Sequence, residues 1–148
     1  MIKTFEEDPE LVTLANAIIT KHKLDLNSVT IRYVLVGPYI SKTVHGRCLK
    51  ANNELKFFGA CDYLIEFSKD IWELLDDKTK EALMFHELLH PLIKTSTKGQ
   101  MVPSIVDHDI KDFRRIIKEY GPDWFQNFRD IVKSTYELEP NDMDKIKV

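Results

Sequence analysis

A chain of 148 residues, 43% of them hydrophobic, can bury one core, so one domain spanning residues 1–148 is expected. Its formal charge of −3 offers no general attraction to nucleic acid or to an anionic membrane. No apolar run approaches the roughly 18 residues of a membrane-crossing helix, and the opening MIKTFEEDPE lacks the apolar stretch of a secretory signal, so a cytoplasmic protein is expected. Cys48 and Cys61 form no CxxC pair and read as buried, reduced thiols.

Asp8 can cap a helix that has Pro9 at its first position, and Leu11, Leu14, Ala15, Ile18 and Ile19 then recur at helical spacing up to about Lys23. His22, between two lysines at the solvated end, reads as a surface residue. Ser28 to Val36 is rich in β-branched and aromatic residues and stops at Gly37-Pro38, which predicts a strand suited to the middle of a sheet. From Thr43 to Leu49, alternation places Val44, Gly46 and Cys48 on one face and His45 and Arg47 on the other, with His45 expected to meet solvent. Asn52-Asn53 then suits a hairpin turn, with a return strand around Leu55 to Phe58. Tyr63 to Phe67 reads as a further strand, with Tyr63, Ile65 and Phe67 sharing a face. Ser68 can cap a short helix, Lys69 to Leu75, that turns Ile71, Trp72 and Leu75 inward, and Asp76 or Asp77 can cap the next.

That next helix, Glu81 to Ile93, contains His86-Glu87-Leu88-Leu89-His90. Residues four apart share a helix face, so His86 and His90 can aim two imidazoles at one point. Glu87 lies about 100° round from His86, within reach of a water held between the rings. Two nitrogen ligands and a carboxylate able to take a proton from a metal-bound water are what a zinc hydrolase needs. Ala82, Leu83, Met84, Phe85, Leu88, Leu89, Leu92 and Ile93 surround the motif with apolar side chains, which predicts a buried helix. A buried pair of imidazoles with a carboxylate needs partners, and a divalent cation supplies them. The plainer alternative is two partly exposed histidines beside a salt-bridging glutamate. Pro91 should end or kink the helix at His90, and the polar segment Lys94 to Ser104 reads as a surface loop.

Asp107-His108-Asp109 opens a helix with Ile110, Phe113, Ile117 and Tyr120 inward, ending at Gly121-Pro122. A histidine at a helix start after a returning loop suits a third metal ligand. Asp112 would then accept its free ring N–H, and Asp107 or Asp109 could replace it as ligand. Arg114, Arg115 and Lys118 read as a solvated face, too little in an acidic chain to suggest nucleic-acid binding. Trp124, Phe125 and Phe128 close the core, and about 137–148 reads as a charged, frayed tail. The oxyanion donor stays open among Tyr120, Arg114 and His45.

The run DYLIEFSKDIWELLDDKTKEALMFHELLH followed by DHDIKDFRRIIKEYGPDW resembles the Putative phage metallopeptidase family, a small zincin-like group, with the likeness extending from about Pro9 to Phe128. The resemblance implies a zincin-like α+β fold. A small twisted mixed sheet would pack against an N-terminal helix and a buried HExxH helix, and a C-terminal helix would carry the third ligand. It also implies zinc on His86, His90 and His108, Glu87 as general base and acid, a protein or peptide substrate, and the host cytoplasm for a phage-encoded protein. By analogy with zincins, substrate would lie along an edge strand, for which Tyr63 to Phe67 is the candidate. The alternative is a non-catalytic, zinc-stabilised binding protein of phage origin acting on a host factor. The chain departs from the commoner zincin pattern in having no glycine and third histidine close behind His90, such as the metzincins have, and in Pro91 next to the second ligand.

Overall fold

The computed structural model describes residues 2–106, 114–136 and 138–148. The architecture is α+β, with a mixed sheet of β1 (Thr4–Glu6), β2 (Ile31–Gly37), β3 (Gly46–Lys50) and β4 (Tyr63–Ser68) in the order β1-β2-β4-β3. β2 pairs in parallel with β4, while β1 and β3 run antiparallel at the two edges. The strand expected within Ser28 to Val36 is therefore interior. Tyr63 to Phe67 is interior too, which overturns its expected edge position and leaves β3 as the edge on that side. Its near-continuous burial, with Tyr63, Ile65 and Phe67 all at 0% exposure, is that of a strand covered on both faces.

Helix α1 (Pro9–His22) begins as expected, the Asp8 carboxylate accepting from the Glu10 N–H at 2.9 Å. It packs over β2 and against α4 (Asp77–Leu88), and α4 in turn lies on β3. The short α3 (Lys69–Trp72) stacks Trp72 on Phe67, with ring centroids 4.4 Å apart. Helices α5 (Arg114–Tyr120) and α6 (Asp123–Tyr136) close over α4 and bury Ile116, Tyr120, Trp124, Phe128 and Val132. In α5 Ile116, rather than the expected Ile117, is the fully buried residue. Gly121, at φ +80°, ends α5 as its Gly-Pro sequence predicts. No helix among the described residues is long and apolar enough to cross a membrane.

Three further expectations are corrected. Leu55 to Phe58 is not a return strand: Asn52 caps α2 (Asn53–Phe57) by accepting from the Leu55 N–H at 2.8 Å, and capping overrides the alternation of apolar residues. Lys94 to Ser104 is not a loop but most of a β-hairpin, β5 (Pro91–Thr95) with β6 (Met101–Ile105), turned at Gly99 with φ +77°. The C-terminal segment is docked rather than frayed. It carries α7 (Pro140–Met143), buries Leu138 and Ile146 in the main core, and gives the Lys147 N–H to the Thr43 carbonyl at 2.8 Å.

Candidate metal centre

Helix α4 is held at its start by Asp76, whose carboxylate accepts the Thr79 N–H at 2.8 Å. Hydrogen bonds from Thr79 hold the Asp76 carboxyl below its usual value. With β3, α1, α5 and α6 packed around it, the last two turns of α4 are buried on every side. Pro91 acts where expected: α4 stops at Leu88, and His90 lies just past the helix with its N–H still donating to the Glu87 carbonyl at 3.2 Å. The spacing therefore survives the break. The rings of His86 and His90 sit 5.2 Å apart between centroids, and one ligand atom from each of His86, Glu87 and His90 falls within 4.8 Å of the others.

Burial decides between the two readings of this motif. His86 and Glu87 are at 0% exposure and His90 at 9%, so a pair of solvated histidines beside a surface glutamate does not describe it. The set lies at the C-terminal end of α4, where unsatisfied carbonyls give the helix its negative pole and favour a cation. His90 is clamped by Val106, which accepts from ring Nδ1 at 2.7 Å and returns its N–H to the His90 carbonyl at 2.8 Å. A carbonyl can only accept, so the proton sits on Nδ1, and the ring is in the tautomer whose Nε2 can ligate. The donor set thus fits a small divalent ion.

His108, with Asp107, Asp109, Asp112, Ile110 and Phe113, lies outside the described residues. His45 is not a solvated strand histidine. It is buried at 1%, with Nε2 donating to the Lys42 carbonyl at 3.0 Å and Nδ1 accepting from Ser68 Oγ at 2.8 Å. That removes it from the oxyanion candidates. Tyr120 is packed edge-on to Phe85 beside Glu81, and burial raises its hydroxyl pKa. His22 is half-buried and stacked on Phe85 at 4.1 Å rather than fully solvated. Cys48 and Cys61 are free thiols, as expected.

Two contributors were not singled out from the sequence. One is the Val106 carbonyl, a backbone group with no signature. The other is Gly46, where an added Cβ would meet Leu83 Cδ1 at 3.2 Å and Glu87 Oε1 at 3.4 Å. A glycine inside a strand marks close approach of another group, and that signal was present. On the same strand Cys48 is half-buried near Glu87, and its thiol pKa is raised, first by burial and then by that carboxylate.

Fold and site together define an α+β protein with a buried His-Glu-His group at the end of a helix enclosed by the sheet and its neighbours. The chain belongs to the Putative phage metallopeptidase family, whose model matches residues 3–136. That description names a metal-dependent peptidase, a class acting on proteins or peptides. No curated protein and no solved structure gives a significant match.

Proposed function

We propose that the protein is a zinc-dependent peptidase of zincin-like fold, with His86, His90 and His108 as ligands and Glu87 as general base and acid. The observation that carries this reading is the buried convergence of His86, Glu87 and His90 within 4.8 Å. Chain distance supports His108 as the third donor, because Val106, bonded to both ring and backbone of His90, stands two residues before it. Imidazole-rich sites suit zinc. Bound there, zinc lowers the pKa of a coordinated water to about 7 and polarises the scissile carbonyl.

The chain's own groups do the rest. Glu87, the carboxylate that directly follows His86, takes the proton of the attacking water and passes it to the leaving amine. Val106 holds His90 in its ligating tautomer. β3, at the sheet edge on α4, presents an outer side without ladder bonds among the described residues, where an extended peptide can add antiparallel and bring its carbonyl toward Glu87. A zinc-stabilised binding protein is the second reading, favoured by the complete burial of His86 and Glu87.

Glu87→Gln separates the two. A peptidase keeps its zinc, measured by metal analysis, and loses cleavage of a peptide library by at least about a hundredfold. If Glu87 is instead a ligand of a structural ion, the same substitution weakens zinc binding and thermal stability together. Undiminished cleavage by the variant sinks the catalytic assignment.

A further inference from the structure

The five-residue helix α2 buries none of its side chains, and Phe57 and Phe58 stand 82% and 80% exposed with ring centroids 5.3 Å apart. Leu55 on the same helix and Leu49 on β3 are 40% and 38% exposed. Nothing in the fold calls for apolar rings there, since Asn52 caps the helix and the core lies elsewhere. The platform is nonetheless held firmly. The Ala51 N–H donates to the Asp62 carbonyl at 2.8 Å, the Ala60 N–H to the Leu55 carbonyl at 3.1 Å, and Lys56 pairs with Asp62 at 3.9 Å.

Its place in the chain links it to the metal centre. α2 follows β3 directly, and the far end of β3 is Gly46, packed against Glu87. At about 3.3 Å per residue, a peptide lying along β3 with a carbonyl at Glu87 reaches α2 about four or five residues later. The hairpin β5–β6 is tied to the same end of the sheet. Tyr63 donates to the Ser104 carbonyl at 2.7 Å and accepts the Ser104 N–H at 2.8 Å, and β6 lies against β3.

Charge selects the occupant. Residues 46–62 and 91–105 hold five basic residues, Arg47, Lys50, Lys56, Lys94 and Lys98, against Glu54 and Asp62, in a chain of formal charge −3. Arg47 and Lys56 are neutralised by Glu66 and Asp62, whereas Lys50, Lys94 and Lys98 enter no ion pair among the described residues. A second copy docking through the same face would bring like charge against like, and an extended acidic peptide, unlike a flat bilayer, can follow the strand edge.

We propose that α2, the outer side of β3 and the hairpin form a docking surface for an extended peptide segment of alternating apolar and acidic residues, flanking the bond to be cut. The role of that segment as substrate rests on the peptidase reading; its binding does not. The rings of Phe57 and Phe58 take its apolar side chains, and Lys50 and Lys98 face its carboxylates.

The test titrates the zinc-loaded Glu87→Gln protein into a fluorescein-labelled peptide of alternating leucine and glutamate, with a leucine-lysine peptide as counterpart. Anisotropy should show binding of the acidic peptide only, weakened about tenfold by Phe57→Ser with Phe58→Ser and severalfold by Lys50→Glu or by added salt. The serine substitutions touch no buried contact, so the melting temperature should stay within about 2 °C of the parent. In a protein carrying Glu87, the same pair should raise KM for an acidic-apolar substrate and leave kcat unchanged. Equal affinity with and without the two rings overturns the proposal. So does a ring-dependent dimer in sedimentation, or ring-dependent pelleting with phosphatidylserine vesicles in place of peptide binding. Ring-dependent peptide binding without cleavage by the Glu87 protein leaves the surface standing and removes the peptidase; cleavage with ring-indifferent binding does the reverse.

Discussion

At the scale of single residues, the centre depends on how tightly Glu87 is enclosed, and Gly46 is the wall on the β3 side. An alanine Cβ at that position would lie 3.2 Å from the Leu83 methyl, which must give by a few tenths of an ångström, and would meet the Glu87 carboxylate oxygen at 3.4 Å, an ordinary contact distance. Leu83 stands four residues before Glu87 on α4, so its displacement presses on the turn that carries the carboxylate, and for the general base proposed at Glu87 small misplacements are costly. On the peptidase reading, Gly46→Ala should therefore lower kcat roughly tenfold while leaving metal content intact, with a loss of stability of about 1 kcal/mol. Steady-state kinetics beside metal analysis checks it. His86→Ala should behave otherwise, losing metal and stability together, because a structural or catalytic ion alike contributes folding free energy. A His86→Ala protein that retained one zinc per chain would exclude that ring from the ligand set.

At the scale of elements, α4 carries the site only while its register holds, and Asp76 fixes where it starts. Asp76→Ala removes an N-cap and should cost about 1 kcal/mol, read as a lower urea midpoint without loss of metal-binding capacity at neutral pH. The elements that could be read from the sequence were those with a local cause. Asp8-Pro9 and Gly121-Pro122 mark helix ends through backbone chemistry, and His86-Glu87-Leu88-Leu89-His90 marks the centre through spacing. What could not be read depends on partners distant in the chain. Tyr63 to Phe67 shows the same apolar pattern at an edge or in the interior, and only β3 pairing on its far side makes it interior. Leu55 to Phe58 alternates like a strand, yet Asn52 is a stronger signal as a helix cap than as a turn residue. The polar Lys94 to Ser104 hid a hairpin because its strands face solvent and pair mainly with each other.

At the scale of the whole molecule, the C-terminal segment ties the sheet edge to α6. Leu138 and Ile146 enter the core, and Lys147 bonds to Thr43 and His45, on either side of Val44 and just ahead of β3. Deleting residues 138–148 exposes those contacts and should cost about 3 to 6 kcal/mol by burial alone, seen as a lower thermal midpoint. The same junction encloses His45, stacked on Tyr136 at 5.3 Å and hydrogen-bonded to Ser68 and the Lys42 carbonyl. Burial pushes its pKa down from 6.5 to about 4. Between those values the unfolded chain binds a proton that the folded chain refuses, so this contribution to stability is complete above pH 6.5 and falls as the pH drops toward 4. His22, also lowered first by burial, acts with the same sign. Unfolding free energy at pH 4.5 should lie roughly 2 to 3 kcal/mol below its value at pH 7 through His45 alone. His45→Gln keeps an amide donor for the Lys42 carbonyl and removes the titration, so the variant should start less stable at pH 7 and lose less on acidification. Parallel slopes for parent and variant in urea titrations at the two pH values would show that the acid sensitivity resides elsewhere.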